Sequence, residues 1–321
     1  MKPTVKILIV LLIIATNVYS QKKYDFIVAK DGKGDFITIQ DAFDAVPHLR
    51  KNRTYIFVKN GTYKEKLILP STKTNVSLIG ESANKTIITY DDYASKKNIF
   101  GENVGTSGSS SFFVFGDGFY AENITFENSS GPVGQAVAVR VDGDKVFFKN
   151  CRFLGFQDTL YPHGEESRQY YKNCYIEGTV DFIFGWSTAL FDSCEIYCKG
   201  NGYITAASTD RNTEFGFVFL NCTVKGESSE PSHYLGRPWR PYSYVAFINC
   251  DLGPQIKQSG WNNWSNPENE KTARYSEYEN YGPGSNIDSR VGWSRQLAKE
   301  EADSITMDKI FKDWTPIACS K

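Results

Sequence analysis

The chain has 321 residues, with 36 basic against 37 acidic side chains, and aromatics make up 15% of it. That charge balance leaves no bulk attraction for nucleic acid or an anionic membrane surface, and the length allows a large core. Helix-forming runs are scarce while Gly, Asn and Tyr are frequent, which points to an all-β chain.

Taken from the start, Lys2 and Lys6 precede an unbroken apolar run from Ile7 to Ile14, and Val18 and Ser20 suit small-residue cleavage before Gln21. Residues 1–20 therefore read as a secretory signal peptide, too short for a comfortable membrane span. No later stretch is apolar for long enough to cross a bilayer. The expectation is an exported protein, secreted or periplasmic, whose residues 21–321 form one domain. Ile39, Ala42, Phe43 and Val46 recur at helical spacing and stop at Pro47, predicting a short helix that caps the first part of the core. Tyr55 to Val58, Leu67 to Leu69 and Val76 to Ile79 read as short strands.

From residue 120 onward one unit repeats. Cys151, Cys174, Cys194, Cys222 and Cys250 each follow a polar residue (Asn150, Asn173, Ser193, Asn221 and Asn249), and Asn123-Ile124 is an earlier copy. The intervals of 27, 23, 20, 28 and 28 residues are those of a solenoid coil. Three residues before each Cys stands an aromatic (Phe148, Tyr171, Phe191, Phe219, Phe247); two after stands Phe153, Ile176, Ile196, Val224 or Leu252. A flat strand would send these positions to opposite faces, yet all are apolar. A corner at the intervening Asn resolves the conflict, because Asn tolerates the left-handed backbone that a tight bend needs. Each unit is then strand, corner, strand and a longer turn, and stacked units make a parallel β-helix. The cysteines read as small inward-facing apolar groups, not as disulfides or ligands, since seven cannot all pair within the chain and no His lies near Cys194 and Cys198. Trp261 to Trp293 reads as loops along one side, with Trp261 and Trp264 either extending a groove or covering the core. An amphipathic stretch near Leu297 to Ile310 is expected to pack back over the barrel.

The chemistry lies in two copies of the unit. Asp158 and Asp181 each stand seven residues past their Cys, so stacked coils place them about 4.8 Å apart along one face. Two such carboxylates cannot both ionise without penalty; one holds a proton and serves as acid, and its neighbour as nucleophile or base. Arg237 is the cation that would decide between them, and Gln157 and Gln135 could donate amide N–H groups to an oxyanion. Read structurally, the two aspartates would be surface turn residues, the glutamines a polar ladder, and Arg237 an ordinary ion pair. His48, His163 and His233 form neither a triad nor a metal spacing.

Five blocks occur in order: Gly61-x-Tyr63-x-Glu65, Gln135-Ala-Val-Ala, Gly155-Phe-Gln-Asp-Thr-Leu, Asp181-Phe-Ile-Phe-Gly and Leu235-Gly-Arg-Pro-Trp. Together they resemble the pectin methylesterases across nearly the whole chain after residue 20. The resemblance implies a right-handed parallel β-helix that removes methyl esters from the galacturonate units of pectin, giving pectate and methanol. It implies Asp181 as nucleophile, Asp158 as acid and then base, Gln135 and Gln157 as oxyanion donors, and Arg237 as the group that orients Asp181. Trp239 would pack on a sugar ring and Thr106 would contact substrate. It implies neither cofactor nor metal, and a monomer whose partner is methylated homogalacturonan. Ile204-Thr-Ala-Ala-Ser-Thr209 is similar to bacterial members. Other readings that the residues leave open are a β-helix hydrolase or lyase of polygalacturonan, an esterase for a different ester or thioester, and a non-enzymatic sugar-binding module.

Overall fold

A computed structural model describes residues 24–317; residues 1–20, expected to be a signal peptide, and Cys319 lie outside them. Three parallel sheets of 11, 7 and 8 strands wind into a right-handed β-helix. The corner argument holds at every copy: Asn123, Asn150, Asn173, Ser193, Asn221 and Asn249 all have φ between 51° and 59°. The bend turns the residues on both sides inward. Tyr171 stacks on Phe148 at 5.2 Å, then Phe191, Phe219 and Phe247 continue the column at 4.7, 4.5 and 4.3 Å. After the corner, Phe153, Ile176, Ile196, Val224 and Leu252 align in register. The cysteines between these ladders are free and buried, as is Cys198.

The predicted early strands and first helix are present. The helix runs Ile39–Ala45, with Thr38 accepting the Asp41 N–H at its start and Ile39, Ala42 and Phe43 buried. Glu65 supplies a second cap, accepting from the Ile39 and Gln40 backbones at 3.0 and 3.1 Å, so the Gly-x-Tyr-x-Glu block is structural. The C-terminal amphipathic stretch is two short helices, Lys299–Asp303 and Met307–Phe311. Ile310 and Phe311 cover the outward face of the largest sheet beside Phe147, Tyr170 and Leu190.

One expectation needs correction. The segment from Trp261 to Trp293 is not wholly loop, because Arg274–Tyr278 is a strand paired with Tyr244–Ile248. Its alternation is disguised: Glu277 takes the register of inward-facing Phe247. There its carboxylate is held by Arg290 at 2.9 Å and by the Trp261 indole N–H at 3.1 Å. A charged residue in a core position removes the apolar pattern that marks a strand.

Candidate active site

The seven-stranded sheet carries the site on its outer face. Strands Val139–Val141, Leu160–Pro162 and Ile183–Gly185 are successive neighbours in it. The turns just before them carry the polar residues: Gln135 before the first, Gln157 and Asp158 before the second, and Asp181 before the third. Gln135 pairs with Gln157 as an isolated bridge, and the Asp158 N–H donates to the Val180 carbonyl at 3.1 Å. Leu160 is in register with Ile183, so Asp158 and Asp181, each two residues earlier, occupy equivalent places on adjacent coils. Both have left-handed backbones, with φ of 65° and 51°, which lift their side chains out of the wall. Two glycines make the turns possible. A Cβ on Gly178 would meet the Phe182 Cβ at 2.2 Å, and one on Gly185, at φ 135°, would meet the Pro162 carbonyl at 2.1 Å.

Arg237 follows the strand His233–Gly236, two coils beyond Asp181. Its Nε and Nη2 donate to the two Asp181 carboxylate oxygens at 2.9 and 2.7 Å. The guanidinium lies between the Tyr203 ring at 3.9 Å and the Trp264 ring at 3.7 Å, so its plane is set before any ligand arrives. The electrostatics sort the two aspartates. Burial, followed by the charge of Asp181, raises the Asp158 pKa well above the usual carboxylate range, with Arg237 opposing. Burial also raises the Asp181 pKa, but there the Arg237 hydrogen bonds and charge oppose the rise, so it stays above the usual carboxylate value by less than that of Asp158. Asp158 is therefore the proton holder and Asp181 the carboxylate.

These groups line a cleft of about 350 Å³. All seven predicted residues, Thr106, Gln135, Gln157, Asp158, Asp181, Arg237 and Trp239, open onto it, together with Ser107, Tyr161, Phe184, Ala206 and Trp264. A larger depression, about 590 Å³, lies on the flank and holds none of the seven; chemistry rather than size picks out the site. Tyr161 and Phe184 were not anticipated. They stack at 4.0 Å and form an aromatic floor against which Trp239 leans, 6.0 Å from Phe184. Their signal was present in the strand alternation, because each directly follows an inward-facing residue, Leu160 or Ile183, and so turns to the outer face. Trp261 and Trp264 part company: the first is buried in the core and the second lines the cleft. Of the histidines, His163 sits at the cleft margin, 2.6 Å from Asp142 and edge-on to Tyr161, while His233 is buried beneath the site. His48 lies against Thr72. Among the described residues no group of acidic, His or Cys side chains is arranged to hold a metal ion.

A buried acid, a paired carboxylate, two nearby amides and aromatic walls suit acyl transfer on a sugar-borne ester. The comparisons with known proteins agree. The family model described as Pectinesterase matches residues 25–313. Pectinesterase 31 of Arabidopsis thaliana is 46% identical over 283 residues, covering 86% of this chain and 88% of that protein. Pectinesterase 4 of the same plant is 38% identical over 293 residues, and the match spans 49% of its length. Among solved structures, the pectin methylesterase from carrot superposes with a TM-score of 0.83 at 34% identity, covering 91% of this chain and 94% of that one. Pectin methylesterase PemA from Erwinia chrysanthemi gives 0.82 at 32% identity, covering 92% and 99%.

Proposed function

The chain belongs to the pectinesterase family and removes methyl esters from pectin, and from that premise we propose how its own side chains carry the reaction. An Asp181 oxygen attacks the ester carbonyl carbon of a galacturonate unit, and the amide N–H groups of Gln135 and Gln157 stabilise the oxyanion. Collapse breaks the bond to methoxide, which takes the Asp158 proton and leaves as methanol. The remaining anhydride joins the sugar carboxyl to Asp181. Asp158, now ionised, removes one proton from a water that attacks this anhydride, freeing the Asp181 carboxylate and a galacturonic acid whose carboxyl then loses its proton to solvent. Arg237 keeps Asp181 ionised and aimed, while Trp239 and Thr106 hold sugar. Residues 1–20 direct export, and the exported chain acts as a monomer.

The observation that carries this reading is the asymmetry of the pair: Arg237 grips Asp181 with two bonds, leaving Asp158 protonated. Two close carboxylates would also suit a retaining glycosidase, but such an enzyme shortens the polymer. The test is methanol release and chain length on highly methylated pectin, with calcium chelated, for the wild type and Asp181→Asn. We expect methanol without shortening from the wild type, and a loss of about 10³-fold or more in the folded variant. A variant that keeps its rate would remove Asp181 from the mechanism, and shortened chains would replace the esterase reading with a hydrolase or lyase.

A further inference from the structure

His233 touches neither Asp181 nor the cleft, yet it connects the two sides of the Asp181–Arg237 pair. It is fully buried at the start of the strand that leads to Arg237, four residues before it. Its Nε2 lies 3.2 Å from the Thr179 carbonyl, two residues before Asp181. A carbonyl only accepts, so Nε2 carries the proton, and Nδ1 accepts from the Ser232 hydroxyl at 3.0 Å. The same Thr179 carbonyl accepts the Tyr203 N–H at 3.2 Å, and the Tyr203 ring is one of the two faces that clamp Arg237. One oxygen thus joins the turn carrying Asp181, the residue under Arg237, and the strand leading to Arg237. That turn holds Asp181 in a left-handed conformation, which an L-residue does not adopt without cost and which its surroundings must impose.

We propose that His233 is a positioning residue for the nucleophile. Its ring fixes the distance between the Thr179–Asp181 turn and the strand bearing Arg237, so that the two-bond grip on the Asp181 carboxylate exists before substrate arrives. The proposal rests on Asp181 being the nucleophile. Burial holds the ring neutral, lowering its pKa to about 4; Lys257 pushes it the same way, while the Thr179 carbonyl and Glu227 oppose. The neutral ring therefore keeps one donor and one acceptor wherever the enzyme's carboxylates can work.

The test compares His233→Met, which fills the space but cannot donate, with His233→Gln, whose amide can still reach the Thr179 oxygen. Rates of methyl-ester hydrolysis are measured against pH, with thermal unfolding followed in parallel. We expect His233→Met to lower kcat by about 10-fold and leave KM within about twofold, because misplacement acts on the transition state. We also expect its acid limb of kcat to move to higher pH as Asp181 loses its fixed partner, and His233→Gln to restore most of both. Wild-type kcat and acid limb in a folded His233→Met protein, with only the melting temperature changed, would overturn the proposal. If that variant does not fold, Ser232→Ala, which frees the ring without touching the turn, should still lower kcat about threefold, and an unchanged kcat would overturn it equally. Retained activity in Asp181→Asn would instead sink the nucleophile assignment, whatever the His233 variants do.

Discussion

Arg237 shows how much a single side chain here depends on geometry. Its plane is pressed between Tyr203 and Trp264 while its edge meets Asp181. A lysine has one compact charge and no plane, so Arg237→Lys keeps the charge but loses the paired bonds and the slot. We expect kcat to fall roughly 10²-fold, the value of one or two charge-assisted bonds. The pH profile gives the sharper check. Burial raises the Asp181 pKa and Arg237 opposes that rise; weakening the opposition sends the pKa up. The acid limb of kcat should therefore shift to higher pH in the variant. The alkaline limb belongs to Asp158, whose raised pKa keeps its proton until the pH climbs through it, and that limb should stay close to its wild-type position. An unmoved acid limb would mean that Arg237 does not set the ionisation of Asp181. The residues of this site were legible because Asp158 and Asp181 hold the same offset in a repeat. The slot around Arg237 was not, since Tyr203 and Trp264 come from the coils on either side of it, far off in sequence, and nothing local distinguishes either from a core aromatic.

At the scale of the element, the corner decides the fold. Asn173 has φ 53° and an exposed side chain, so its value lies in its backbone rather than in its packing. Asn173→Ala puts a Cβ into a left-handed conformation without the polar compensation of Asn, and should cost about 1–2 kcal/mol. Asn173→Gly relieves that crowding at the price of a freer unfolded chain, and should lie within about 1 kcal/mol of wild type. Urea midpoints for the two variants check this; equal losses would mean that the Asn side chain, not its φ, makes the corner. The same logic explains which strands could be read. Apolar residues on both sides of an Asn are visible in a sequence as a repeat. Arg274–Tyr278 follows the identical path, but a carboxylate paired with Arg290 takes the place of a Phe. Burial of a charge is legible only once its partner is known, and that partner lies 13 residues away.

A solenoid has a consequence for the molecule as a whole, because each coil is supported by its neighbours and the two ends must be closed. The helix Ile39–Ala45 closes one end, with Phe43 stacked 5.7 Å from Phe112. The other end is closed by Trp261, Tyr275 and Trp293 around the Glu277–Arg290 pair. In that pair the side chains are only 1% and 4% exposed. Arg290→Met leaves Glu277 buried with the Trp261 and Asn280 donors alone, and stranding a buried charge costs about 3 to 5 kcal/mol. Because contacts run only between neighbouring coils, the loss should not spread evenly. Amide exchange should quicken first in Arg274–Tyr278 and Tyr244–Ile248, while Val146–Lys149 and Arg168–Lys172 stay protected. The site feels this directly, since Gly236, the residue before Arg237, bridges to Trp261. On heating, the variant should therefore lose methanol release before its central coils unfold. Uniform loss of protection would show instead that the β-helix melts as one unit and that its end caps add only to the total.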